Sequence, residues 1–438
     1  MIIRYIRITH IPGPALASWT KLWRLQDVAT GQNHKTIINL HRKYGKLVRT
    51  APNVVDVSDP AMIPVIYNIK GNFKKTAFYP IATLIWQKKA QSNLFSEIDE
   101  GIHREQKMKT ANAFSMTNLL ELEPAIDSCS TLFMEKLQEF AKAGKSVDLG
   151  SWLQYYAFDV IGEITFGQKL GFMEKGTDVD GTMKAIEIMT TYNTLVGQIP
   201  LAHKFLLGIP GLAYIFPQIE TMNTILNFTL KAINSSSHSS QEPNKDQQVQ
   251  DPKIRKDMLW RWTSLPPTHP LKMTKRDLIA HCSSNVFAGS DTTAIALRAA
   301  IYYLCKNPST MSRLVSELNS ADLETHLSTP TPPSYKQLSH IPYLNAVIKE
   351  TLRIHPSIGL LLERHVPKGG ATISGVFIPE NTIVGINAWA LHYDESIFPD
   401  PEEFIPERWI DSSVERLSEM ERSFLPFGAG SRTCTGKN

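Results

Sequence analysis

Apolar positions along this chain change their period several times. Over the first ninety residues short strand-like runs mix with turns, among them 46–49 and 54–57, the second closed by Ser58-Asp59-Pro60. From Glu100 to about Lys231 the spacing is helical, with amphipathic stretches over 119–140 and 152–166. The run NSSSHSSQEPNKDQQVQD, residues 234–251, is polar and low in complexity. It cannot bury enough apolar surface to offset the entropy of ordering, so a mobile polar loop is expected there. Helical spacing resumes near Met258 and dominates to about Ile354. Residues 366–384 then alternate between Gly and Pro turns, and 398–409 are Pro-rich and irregular. No segment repeats. The pattern predicts one domain over residues 1–438, mainly α with a minor β-sheet region at one edge.

Composition narrows the class. The 438 residues are 42% hydrophobic and 20% charged, the profile of a globular protein with a sizeable core. The net charge of +4 is spread along the chain, which argues against nucleic acid and is compatible with an acidic protein partner. Cys129, Cys282, Cys305 and Cys434 lie far apart without any CxxC pattern, so a disulfide framework, a zinc site and an iron–sulfur cluster are all disfavoured. Residues 1–10 (MIIRYIRITH) are too short and too basic to span a bilayer, which takes about 20 apolar residues. They lack a signal-peptide pattern too, and the stiff Ile-Pro-Gly-Pro of 11–14 follows.

Four local patterns carry chemistry. In FGAGSRTCTG, residues 427–436, Cys434 lies among Gly428, Gly430 and Gly436, with Arg432 two residues before it. Glycines let backbone N–H groups approach a sulfur, where they stabilise a thiolate and tune a bound iron, and an arginine fork suits a carboxylate. A lone cysteine in a Gly-rich turn is more often structural. A phosphate-binding loop is excluded, because five residues rather than four separate Gly430 from Gly436 and Asn438 stands where Ser or Thr is needed. Thr274 and Asp277 form a capping box that opens a helix over 275–306, stopped by Asn307-Pro308. In its middle stands Ala-Gly-Ser-Asp-Thr-Thr, 288–293. Gly289 costs helix stability and Asp291 a desolvation penalty, as expected at a working site, where a glycine could clear room over a flat cofactor and a hydroxyl beside a carboxylate could relay protons. A solvated kink is the plainer alternative. Glu350 and Arg353 share a helix face, an arrangement that is usually surface decoration, unless Arg408 of Pro-Glu-Arg-Trp (406–409) completes a buried cluster. His103 and Lys107 fall one turn apart on a basic helix start, as cofactor donors or as a solvated face.

The ordered series Ala-Gly-x-Asp-Thr-Thr, Glu-x-x-Arg, Pro-Glu-Arg-Trp and Phe-x-x-Gly-x-Arg-x-Cys-x-Gly resembles the cytochrome P450 family, from Ile11 onward. Segments such as HRKYGKLVRTAPNVV and WLQYYAFDVIGEITFG look like its fungal pisatin-demethylase-type branch, which serves secondary metabolism or detoxification. The resemblance implies a haem whose iron takes the Cys434 thiolate, within a loop bracketed by Phe427 and Gly436. It implies oxygen activation at Gly289, Asp291 and Thr292, a structural cluster of Glu350, Arg353 and Arg408, and propionate contacts from Arg432, Arg364, His103 and Lys107. Lys107 is a weaker match, since the family more often carries Arg there. Thiolate ligation favours O–O cleavage, so the implied activity is insertion of one oxygen atom into an apolar small molecule by hydroxylation, demethylation or epoxidation. Electrons would come from NADPH through a cytochrome reductase, with the chain a monomer at the cytosolic face of the endoplasmic reticulum. Walls of the substrate pocket are expected at 77–94, 190–200, 286–292 and 356–362. Two departures stand out: no membrane anchor precedes the hinge at 11–14, and the chain ends four residues after Cys434, where family members continue with a helix covering the haem and a hairpin lining the pocket. An inactive truncated chain without stable haem is therefore one alternative. A haem-thiolate isomerase or peroxygenase is another, disfavoured by the Asp291-Thr292 pair.

Overall fold

The computed structural model describes residues 8–69, 72–208, 218–236, 256–321 and 332–438. The largest sheet has strands β1 (Leu47–Ala51), β2 (Val54–Val57), β3 (Arg364–His365) and β4 (Ile383–Ile386), in the spatial order β1-β2-β4-β3. β1 and β2 form an antiparallel pair across Pro52-Asn53. β2 and β4, from opposite ends of the chain, run parallel with Val54 opposite Ile383 and Val57 opposite Ile386. Every residue of β1 and β2 is buried. Val55, Val57, Val384 and Ile386 join Leu391, Phe398 and Trp409 in a core on this side of the molecule. A second core gathers Phe158, Phe166, Phe172, Trp262, Cys282 and Val286 among the helices.

Six helices position the residues of interest: α1 (Glu100–Thr110), α2 (Glu123–Lys142), α3 (Leu149–Phe166), α4 (Thr182–Val196), α5 (Lys275–Lys306) and α6 (Pro342–Ile354). α5 has the bounds that the capping residues predict. The Thr274 hydroxyl accepts from the Asp277 N–H at 3.1 Å and the Asp277 carboxylate accepts from the Thr274 N–H at 3.0 Å. At a rise of 1.5 Å per residue its 32 residues extend about 48 Å. α3 starts at its cap, Asp148, and ends at Gly167, whose φ of 72° only glycine adopts without cost.

The remaining expectations fared unevenly. The stretch 119–140 is not one helix but two, Met116–Leu120 and α2, because Pro124 falls in the first turn of α2 and has no N–H to continue a helix from upstream. The polar run expected to begin a loop at Asn234 is helical through Ser235, in the helix Gln218–Ser235. Gln168 ties that end down by donating to the Ser235 hydroxyl at 2.8 Å. Residues 237–255, which hold the rest of the expected mobile loop, lie outside the described residues, as do residues 1–7. Two helices, Leu22–Ala29 and Asn33–Tyr44, occupy a region read as strands and turns. Among the described residues, no helix is long and apolar enough to cross a membrane.

Candidate functional site

The Cys434 loop is shaped by glycine. Gly428 and Gly430 have φ of 67° and 70°, and a Cβ on Gly430 would fall 1.7 Å from the carbonyl oxygen of Tyr67. Tyr67 is itself pinned to the sheet, its hydroxyl donating to the Leu362 carbonyl at 2.9 Å and accepting from the Ile386 N–H at 2.7 Å. The Cys434 N–H closes the loop on the Phe427 carbonyl at 2.9 Å. Cys434 is exposed, yet the protein around its sulfur raises the thiol pKa, opposed in part by the N–H of Gly436. Gly436 contributes its N–H rather than its small size, since a Cβ there would sit 3.9 Å from the sulfur, an ordinary contact.

Beneath this loop, the Glu350 pair is core and not surface decoration. Arg353 and Glu350 are both fully buried and joined by two hydrogen bonds of 2.9 and 2.8 Å. Arg353 also donates to the carbonyls of His392, Pro401 and Glu403. Glu350 receives Arg408 at 3.2 Å, the Trp409 indole at 2.9 Å and the Ile405 N–H at 3.0 Å. Sequence reasoning missed the link from this cluster to the cysteine loop, which is His392. Burial lowers its pKa to about 3, so the ring is neutral. Its Nε2 accepts the Leu425 N–H at 2.9 Å, which leaves Nδ1 protonated and donating to the Arg353 carbonyl at 3.0 Å.

On the other flank, cationic side chains surround a neutral histidine. His103 of α1 is buried and its pKa falls to about 3, through burial and the charges of Arg432, Lys75, Lys107 and Arg364. A solvated basic face is thereby excluded for His103. Lys107 donates to the Ser431 carbonyl at 2.9 Å. Arg364 donates to the Tyr79 hydroxyl at 2.9 Å and to the Glu363 carbonyl at 2.7 Å. Arg432 is already paired, with Glu100 at 2.8 Å. Neither Glu100 nor Lys75 carried a signal in the sequence.

The middle of α5 differs from expectation. A Cβ on Gly289 would meet Cδ1 of Ile161 at 2.7 Å, so this glycine admits the close crossing of α3 over α5 instead of clearing room over a cofactor. Asp291 faces α3 as well. It accepts from the Gln154 amide at 3.2 Å, and Gln154 in turn accepts from Arg298 at 2.7 Å, while Arg298 also binds the Gly150 carbonyl at 2.8 Å. Burial raises the Asp291 pKa, Arg298 opposing and Glu187 adding to the rise. The Thr292 hydroxyl donates to the Ala288 carbonyl at 2.7 Å, one turn back, which leaves its oxygen lone pairs free to accept. The two side chains thus point to different partners. Of the expected pocket walls, 77–94 and 190–200 meet at a cavity of about 780 Å³ that Ala77, Ile81 and Pro200 line, whereas 286–292 and 356–362 do not border it.

Among the described residues, no group of three or more His, Cys, Asp or Glu could enclose a metal ion. The cations Lys107, Arg364 and Arg432 on the flank of the Cys434 loop suit the two acid groups of a porphyrin, whose iron would take the Cys434 sulfur. The donor set fits haem. Residues 12–438 match the cytochrome P450 family. The chain belongs to that family. It is 38% identical to a cytochrome P450 monooxygenase of Aspergillus terreus, over 99% of this chain and 87% of that protein. It is 37% identical to a second, of Emericella nidulans, over 99% of this chain and 85% of the relative. A pisatin demethylase of Fusarium vanettenii is 35% identical over 98% of this chain and 81% of its own. As a P450 of fungal type it is an enzyme, and its mainly helical fold with small sheets is the family's.

Proposed function

We propose that this P450 is a haem-thiolate monooxygenase of fungal secondary metabolism or detoxification, acting as one domain on an apolar small molecule and fed by NADPH through a reductase. The observation that carries the reading is the accessible Cys434 sulfur, set in a glycine-shaped loop and flanked by His103, Lys107, Arg364 and Arg432. When bound, haem supplies iron that accepts the thiolate and activates dioxygen. Cys434 would hold the iron as its thiolate, with the Gly436 N–H stabilising the charge on sulfur. Lys107, Arg364 and Arg432, with neutral His103 as a hydrogen-bonding neighbour, would hold the acid groups. To deliver a proton the Thr292 hydroxyl would turn from the Ala288 carbonyl, release its proton on the reacting side and take a replacement through water. The Asp291 carboxyl, held by Gln154 and exchanging protons with solvent, would supply that replacement to the water. The Asp-Thr pair favours this over an isomerase or peroxygenase. Turnover with isotopically labelled dioxygen tests the reading: one labelled atom in the product supports it, and unlabelled product overturns it.

Two further outcomes follow. Thr292→Ala is expected to keep haem and NADPH consumption while electrons leak to hydrogen peroxide, and Thr292→Ser to retain most coupling. The ratio of product formed to NADPH oxidised measures both, and an unchanged ratio in Thr292→Ala would remove the relay. Gln154→Leu strips Asp291 of an N–H that favours its ionised form, so its already raised pKa rises further. A rate that needs the protonated carboxyl falls as pH rises through that pKa. The basic limb of the rate–pH profile should accordingly move to higher pH, and an unmoved limb would show that Asp291 does not feed the relay.

A further inference from the structure

The turn of α5 that carries Thr292 is held by two neighbours. Gly289 and Asp291 face α3. The Thr292 carbonyl instead accepts from the Ser357 hydroxyl at 3.0 Å. α5 is helical throughout Lys275–Lys306, so that carbonyl already serves the Ala296 N–H four residues on, and Ser357 takes its second lone pair. A helix interior needs no such donor. The bond adds a fixed point between α5 and the segment that follows α6.

That segment is clamped by the short helix Ala388–His392 and the residues at its two ends. His392 donates from Nδ1 to the Arg353 carbonyl at 3.0 Å, and the Tyr393 hydroxyl donates to the Ile354 carbonyl at 2.9 Å. Both carbonyls lie in the last turn of α6, where no helical partner follows. The Trp389 indole donates to the Pro356 carbonyl and the Asn387 amide to the Gly359 carbonyl, each at 3.0 Å. Asn387 and His392 are fully buried. Through its Nε2 the same His392 holds Leu425 at the base of the cysteine loop. One clamp therefore serves both the loop of Cys434 and residues 353–359, and Ser357 carries it across to α5.

We propose that Ser357 is a positioning residue that sets the Thr292 turn of α5 against the frame carrying Cys434. A relay works only if the Thr292 hydroxyl keeps its place relative to the group that the sulfur holds. Ser357 touches the backbone of Thr292, so it acts through that residue and transfers no proton itself. Its effect on turnover rests on the proposed function; its effect on α5 does not.

The experiment compares Ser357→Val with Ser357→Thr, which share a shape and differ by a methyl in place of the hydroxyl, and adds Ser357→Ala. Hydrogen–deuterium exchange read by mass spectrometry follows the amides of residues 289–297 in the protein without turnover. The ratio of product formed to NADPH oxidised reads turnover, with Thr292→Ala as the control. A net hydrogen bond is worth roughly fivefold in an equilibrium. Exchange should be about fivefold faster in Ser357→Val and Ser357→Ala, with a lower ratio at unchanged haem content, and Ser357→Thr should restore both. Ser357→Val added to Thr292→Ala should lower the ratio no further, since both changes remove one function. The proposal is overturned if exchange is unchanged, if it quickens while the ratio holds, or if Ser357→Thr behaves as Ser357→Val. Should Ser357→Val not fold, Ser357→Ala against Ser357→Thr decides. Thr292→Ala with the parent's ratio would overturn the relay of the proposed function instead, and exchange alone would then decide Ser357.

Discussion

Cys434→Ser is expected to abolish the red-shifted Soret band of the reduced, CO-bound protein and with it all turnover. An alcohol is a poor ligand for ferric iron and does not supply the electron density that a thiolate gives. The loop should survive, because its hydrogen bond to Phe427 uses the Cys434 N–H and its turn depends on Gly430 against Tyr67. Far-ultraviolet circular dichroism should consequently match the parent while the band is lost. The other cysteines are poor substitutes: Cys129 and Cys282 are fully buried and Cys305 is exposed near the C-terminal end of α5. A band retained in the serine variant would transfer the ligand to one of them.

Arg353→Ala should be the most destabilising change in the chain. It deletes five hydrogen bonds and leaves Glu350, fully buried, with one guanidinium where it had two. Breaking such a cluster costs roughly 3–5 kcal/mol, against a total stability of about 5–15 kcal/mol for a typical domain. Glu350→Ala should cost a similar amount by stranding both Arg353 and Arg408. Because His392 carries the cluster to Leu425 at the base of the cysteine loop, haem content per mole of soluble protein should fall together with the melting temperature. A variant with full haem and an unchanged melting temperature would mean that the cluster supports neither.

What could be read in advance divides along a physical line. The ends of α5 were legible because capping is local: Thr274, Asp277 and Pro308 state both ends within a few residues. Strand β2 was legible for the same reason, a short apolar run closed by Ser58-Asp59-Pro60. Its parallel partner was not, since Ile383–Ile386 joins it from the far end of the chain and nothing in either run names the other. The glutamate–arginine cluster was visible as two motifs, though only packing shows that both are buried. Gly289 was visible as an oddity and given the wrong neighbour, because a helical sequence fixes which residues share a face but not what that face meets. His392 and Gln154 left no trace. Each is a single polar residue whose meaning comes from a partner distant in sequence: Leu425 and Asp291.

The central claim is that Cys434 gives its sulfur to haem iron. The most direct measurement is the absorbance of the unaltered protein loaded with haem, reduced, and exposed to carbon monoxide. The account predicts a Soret band shifted to the red, as thiolate ligation produces. A band at the position typical of histidine-ligated haem, or no haem bound at all, would contradict it.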